Sequence, residues 1–195
     1  MSSELIAALD LLEMLVWSPR TGVLMALLLL AAGTDIRSGR IPNWLVLGGT
    51  LYALAYNALF PLYPRDIGIL VSLGGWVVGL IALLPAYLFR VLGAGDVKLM
   101  AMVGAFIGTW AAVEAVLASL IAGGLLALAI ALCSGQLVPM LRNVAMMFRG
   151  TMLTFATGIG GLTGQGGASA GRMPYGLAIA AGTIGYLVLE QLGFI

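Results

Sequence analysis

The sequence predicts an all-α membrane protein with about six transmembrane helices. To these it adds an N-terminal amphipathic helix and a cytoplasmic amphipathic helix between the fifth and sixth spans. Three observations carry this. The 195 residues are 62% hydrophobic and 9% charged, and the mean hydropathy is +1.10; one core cannot hide that much apolar surface from water. The apolar runs have the length of membrane spans, about 20 residues each. The charges gather at the junctions between those runs. A net charge of +1 points to no nucleic-acid partner; the first partner is the lipid bilayer.

Taken in order, residues 1–20 form the N-terminal segment. Its apolar stretch 5–17 carries Asp10 and Glu13, lacks a basic residue before it, and so does not read as a cleaved signal peptide. Leu5, Leu9, Leu12 and Val16 make one stripe, as in a helix lying in the interface. Residues 21–133 hold five spans. The first is 21–35, the second 43–62 opening at Pro42-Asn43, and the third 67–89. The run 97–133 is too long for one crossing: at ~1.5 Å per residue it is about 55 Å, against a core of about 30 Å. It divides into two, with the turn expected from Gly108-Thr109-Trp110 through Glu114. Residues 134–174 are the polar-tolerant region. Leu137, Leu141, Val144 and Phe148 share a face, and seven glycines fall within 157–172, which reads as a loop. The last span is 175–193, and all 195 residues are expected to form one integral-membrane domain.

Orientation follows from the basic residues. Arg37, Arg40, Arg90, Lys98, Arg142, Arg149 and Arg172 fall after the first, third and fifth spans; only Arg20 and Arg65 fall on the other side. The first group marks the cytoplasmic face. Glu4, Asp10, Glu13, Asp66, Glu114 and Glu190 fall outside. Asp35 and Asp96 are then the only cytoplasmic acids. One ends the first span and the other begins the fourth, so topology sets both at the same border, although 61 positions separate them.

The chain has no histidine and one cysteine, Cys133. That excludes Ser-His-Asp and Cys-His catalysis, His-ligated metals, an internal disulfide and a Cys-rich zinc site; no cofactor is expected. A carboxylate at a hydrocarbon border is costly and is a functional-site candidate by default. Two such acids are the minimum equipment for peptide hydrolysis: one ionised, to take a proton from water, and one protonated, to donate to the carbonyl. Gly93 and Gly95 flank Ala94 without side-chain bulk, which lets the backbone turn and a substrate strand approach. Lys98, the only lysine, is expected to anchor or tune the site. It lies two positions from Asp96, and such neighbours do not face each other on a helix. Gly75-Trp76-Val77-Val78-Gly79 and Gly104-Ala105-Phe106-Ile107-Gly108 are helix-packing patterns.

At these residues the chain resembles the type IV prepilin peptidases, a family of membrane aspartic proteases. Asp35-Ile36-Arg37 with Ile41-Pro42-Asn43 is similar to the family's first catalytic block. Gly93-Ala94-Gly95-Asp96-Val97-Lys98-Leu99 fits its GxGDxK block, and Met173-Pro174-Tyr175-Gly176 is a weaker match. The resemblance implies Asp35 and Asp96 as the catalytic pair, with a site at the cytoplasmic face of a bacterial inner membrane. The implied substrates are prepilins or pseudopilins, with a short basic leader ahead of an apolar helix. Many larger members carry four extra cysteines and methylate the new N-terminus. This chain resembles the compact, peptidase-only type serving Flp (tight-adherence) pili. The substrate-binding residues and any homo-oligomer are not indicated. Two other readings stand beside this one: a presenilin-like intramembrane protease, whose acids would lie deeper, and a proton or ion relay, whose acids would lie near the midplane.

Overall fold

A computed structural model describes residues 19–60, 68–88, 91–135, 137–139, 142, 145–146 and 175–194. Among these residues there is helix and no strand. The helices with stated bounds are α1 (Pro19–Ser38), α2 (Asn43–Leu59), α3 (Ile69–Leu88), α4 (Ala94–Ile107), α5 (Thr109–Cys133) and α6 (Tyr175–Gln191). The expected N-terminal helix at 5–17 and the Gly-rich 157–172 loop lie outside the described residues.

Helix lengths refine the span count. By length and composition α1, α3 and α5 can each cross a membrane. Helices α2, α4 and α6 have 17, 14 and 17 residues. At ~1.5 Å per residue they measure about 26, 21 and 26 Å, short of a core of about 30 Å. Six helices stand where six spans were expected, and three have full spanning length.

The chain divides into two compact units, Met1–Gly123 with Pro174–Ile195, and Gly124–Met173. In the second, α5 runs to Cys133 and ends at Gly135, which has φ 66°. The Ser134 hydroxyl donates to the Ile130 carbonyl at 2.7 Å. Beyond it, residues 137–139, 142 and 145–146 are helical, within the stretch expected to form the amphipathic helix.

In the first unit α4 is the centre, packing against α1, α2, α3 and α6. Every residue from Leu99 to Ile107 is buried. This follows from glycine. Gly75 of α3 lies against the Gly104 carbonyl of α4, Gly104 lies against the Gly75 carbonyl, and Gly79 lies against the Met100 carbonyl. None of the three has room for a Cβ. The two glycine patterns in the sequence are therefore the α3–α4 contact, where backbone meets backbone. On the other sides Met102 fills the space over Gly49 of α2, and the Tyr52 ring stacks on Phe106 with centroids 5.9 Å apart.

The turn between α4 and α5 is tighter than expected. Residues Thr109 to Glu114 are helical, and the break is Gly108 alone, at φ 89° and ψ −179°. Only glycine adopts this conformation readily, so one residue reverses the chain. The last carbonyls of α4 still need donors, and hydrocarbon supplies none. The Ala105 carbonyl accepts from the Ser72 hydroxyl at 2.6 Å and from Asn57 Nδ2 at 3.0 Å. Asn57 Nδ2 also reaches Ser72 Oγ at 3.2 Å. All three helices α2, α3 and α4 meet at this one carbonyl.

Outward faces are apolar, as a lipid solvent requires; Leu29, Leu47, Leu51, Leu70, Leu117 and Ile121 are exposed. Trp44 starts α2 and is 72% exposed, and Trp110 starts α5 and is 83% exposed. They stand at opposite ends of the helices, where indole suits the two membrane–water interfaces.

Removing the donors to Ala105 should weaken the fold. We expect Ser72→Ala to cost about 1 kcal/mol and Asn57→Leu with Ser72→Ala about 1–3 kcal/mol, read as a lowered unfolding midpoint in detergent.

Candidate active site

Asp35 sits in the last turn of α1. That helix stops because Gly39 turns to φ 61° and its N–H donates to the Asp35 carbonyl at 2.7 Å. The nearby hydroxyls fold back onto the chain: Thr34 donates to the Ala31 carbonyl at 2.9 Å and Ser38 to the Thr34 carbonyl at 2.7 Å. The Asp35 carboxylate is left to reach elsewhere. Its Oδ2 accepts the backbone N–H of Gly176 at 2.8 Å, across 141 positions of sequence. Gly176 lies in the first turn of α6, where free N–H groups and the helix dipole favour an anion. A Cβ on Gly176 would lie 2.8 Å from Asp35 Oδ2 and 3.2 Å from its Cγ.

Asp96 is the third residue of α4. Its Oδ2 accepts the Gly93 N–H at 2.9 Å, and its own N–H donates to the Gly93 carbonyl at 3.1 Å. The carboxylate therefore satisfies a donor that the helix start leaves open. Asp35 and Asp96 are each 8% exposed.

The residues expected to shape the site take three places. Gly93 is extended at φ −81° and ψ 155°, so its backbone is one any residue could adopt. What glycine provides there is space, since a Cβ would stand 3.3 Å from Asp96 Oδ2. Gly95 lies against Ile41, with a built Cβ 3.3 Å from the Ile41 Cβ. Lys98 is exposed and its Nζ donates to Asn43 Oδ1 at 3.1 Å. The segment after Asp35 thus touches the segment around Asp96 twice, through Ile41–Gly95 and Asn43–Lys98.

Two residues without a role in the sequence reading enter here. Gly176 holds Asp35. Its neighbour Tyr175 is half-buried. The Tyr175 ring rests where Gly123 of α5 has no side chain; a Cβ there would meet ring carbon Cε2 at 2.7 Å. The start of α6 therefore reaches Asp35 by a hydrogen bond and α5 by the Tyr175 ring. The signal was the Met173-Pro174-Tyr175-Gly176 block, which named the segment but not its partners.

A cavity of ≈ 550 Å³ opens at the opposite ends of these helices, among Arg20, Trp110, Glu114, Tyr186 and Glu190. It contains neither Asp35 nor Asp96, and size alone does not make it the site of chemistry. Among the described residues no cluster of three His, Cys, Asp or Glu side chains could hold a metal ion.

The fold is that of a helical protein with three helices long and apolar enough to cross a membrane and with two buried acids, Asp35 and Asp96. Residues 22–130, more than half of the chain, match the model of the type IV leader peptidase family. The chain belongs to that family, and the family is one of peptidases. Comparison with curated proteins and with solved structures returned no match.

The Gly176 contact generates a test. Gly176→Ala should keep the fold, since Ala is the better helix former by ~1 kcal/mol. Its methyl must displace the Asp35 carboxylate, and peptidase activity should fall about 10²-fold, measured as initial cleavage rate at matched expression.

Proposed function

We propose that this protein is a membrane aspartic endopeptidase that removes the short basic leader of type IV prepilins or pseudopilins. The observation that carries the reading is the placement of two nearly buried carboxylates, each held by a backbone N–H, on segments that touch through Ile41–Gly95 and Asn43–Lys98. Family membership makes the chain a peptidase, and no histidine is present to serve as an alternative base.

In this reading the pair, brought together around a bound substrate, shares one proton, because two carboxylates side by side in a poorly solvated place do not both ionise. The ionised Asp takes a proton from water as its oxygen bonds to the scissile carbonyl carbon. The protonated Asp gives its proton to the carbonyl oxygen. When the tetrahedral intermediate collapses, one of its hydroxyls returns a proton to the dyad as C=O re-forms, the C–N bond breaks and the new amine takes a proton from the dyad. Peptide is hydrolysed and the pair returns to one proton.

Charge supports the substrate and the location. Arg37, Arg40 and Lys98 share the end that carries both acids, which by the basic-residue rule faces the cytoplasm of a bacterial inner membrane. A basic leader remains on that side, its apolar helix enters the bilayer, and the bond between them lies at the depth of Asp35 and Asp96. The compact chain, with one cysteine, fits leader cleavage without N-methylation.

The test is cleavage of a candidate prepilin in membranes. Asp35→Asn and Asp96→Asn keep the shape and remove the ionisable proton. Each should lower cleavage at least about 10³-fold at unchanged expression. Full cleavage by either variant contradicts the two-carboxylate mechanism.

A further inference from the structure

Asp35 draws on a donor that its own helix does not supply. It lies in the last turn of α1, and its Oδ2 accepts the Gly176 N–H at 2.8 Å. That N–H belongs to the first turn of α6, where the backbone donors have no partner within the helix. The carboxylate is therefore oriented only as well as the start of α6 is held.

Two contacts with α5 hold α6. Further along the helix, Gly182 lies against the backbone of Ser119. At its first residue, the Tyr175 ring occupies the space that Gly123 leaves without a side chain. A Cβ on Gly123 would stand 2.7 Å from ring carbon Cε2, 3.1 Å from Cζ and 3.1 Å from the phenol oxygen. Carbon atoms in good contact stand about 3.5–4.0 Å apart, so the ring fits because position 123 is glycine. The same ring packs against the buried core. A methyl at position 123 therefore moves the ring, and the ring is one residue from the N–H that holds Asp35. The seat is local. Gly124 is exposed, and a Cβ on it would meet no described atom within 4 Å.

We propose that Gly123 and Tyr175 are positioning residues for Asp35: the ring, seated in the Gly123 notch, sets the start of α6 so that the Gly176 N–H stays on the Asp35 carboxylate. Both act through Gly176 and not on the substrate. This rests on the two-carboxylate reading above, in which Asp35 must meet water or carbonyl in a fixed orientation.

Two measurements on the full chain test it. The first needs no substrate. Tyr175-Gly176 is the one Tyr-Gly step in the sequence. Protein labelled with carbonyl-13C tyrosine and 15N glycine therefore reports a single amide, that of Gly176, in a spectrum filtered for the bond between the two labels. Its proton should lie downfield while a carboxylate accepts it, and Asp35→Asn should move it upfield. Gly123→Ala should move it in the same direction, and Gly124→Ala should leave it in place. A Gly176 amide that ignores Gly123→Ala overturns the proposal.

The second is kinetic. Alanine suits the interior of α5 better than glycine, so Gly123→Ala should fold. It should lower kcat about tenfold with KM unchanged within about twofold, whereas Gly124→Ala keeps the wild-type rate. In a Tyr175→Leu background the ring is gone, and adding Gly123→Ala should change kcat less than about twofold. Equal losses in the two backgrounds, a rise in KM alone, or wild-type kcat in Gly123→Ala each overturn the proposal. If the wild type cleaves no leader peptide, the functional reading fails, and the Gly176 amide still decides whether the Gly123 seat holds Asp35.

Discussion

The structure depends on the close approach of α3 and α4. Gly75, Gly79 and Gly104 bring two backbones together with no side chain between them. That approach buries α4 along its length, and α4 carries Asp96 at its start. It also places the last carbonyls of α4 deep in a medium without water. Ser72 and Asn57 meet that demand at Ala105. A larger residue at any of the three glycines would push α3 off α4 and expose both the carbonyl and the acid's helix.

The same economy of polar groups governs the other end. Asp35 and Asp96 are costly where they are, and each accepts a backbone N–H. Asp96 draws on its own helix start, whereas Asp35 draws on the start of a helix 141 positions away. Lys98 is turned to Asn43, where it ties the segment after Asp35 to the helix of Asp96.

Much of this was legible in the sequence, for a physical reason. A chain with 9% charged residues makes each acid conspicuous, and alternation of spans set Asp35 and Asp96 at one border. Helix positions followed from apolar runs. Their limits did not, because hydropathy cannot see a single-residue break such as Gly108, or distinguish a 14-residue helix from a full crossing. The two glycine patterns were visible as contact surfaces, but a pattern does not name its partner. Gly176 and Tyr175 stood in a recognisable block; their contacts with Asp35 and Gly123 arise only when distant helices pack.

The central claim is that two blocks far apart in sequence form one site. The most direct measurement is oxidative cross-linking of Ile41→Cys with Gly95→Cys in a Cys133→Ser background, in native membranes. The Ile41 Cβ and a Cβ built on Gly95 are 3.3 Å apart, close to the ~3.5–4.5 Å that a disulfide spans. The account predicts rapid cross-linking that disappears when the protein is unfolded before oxidation. Two cysteines that each react with a thiol reagent but never with one another would contradict it.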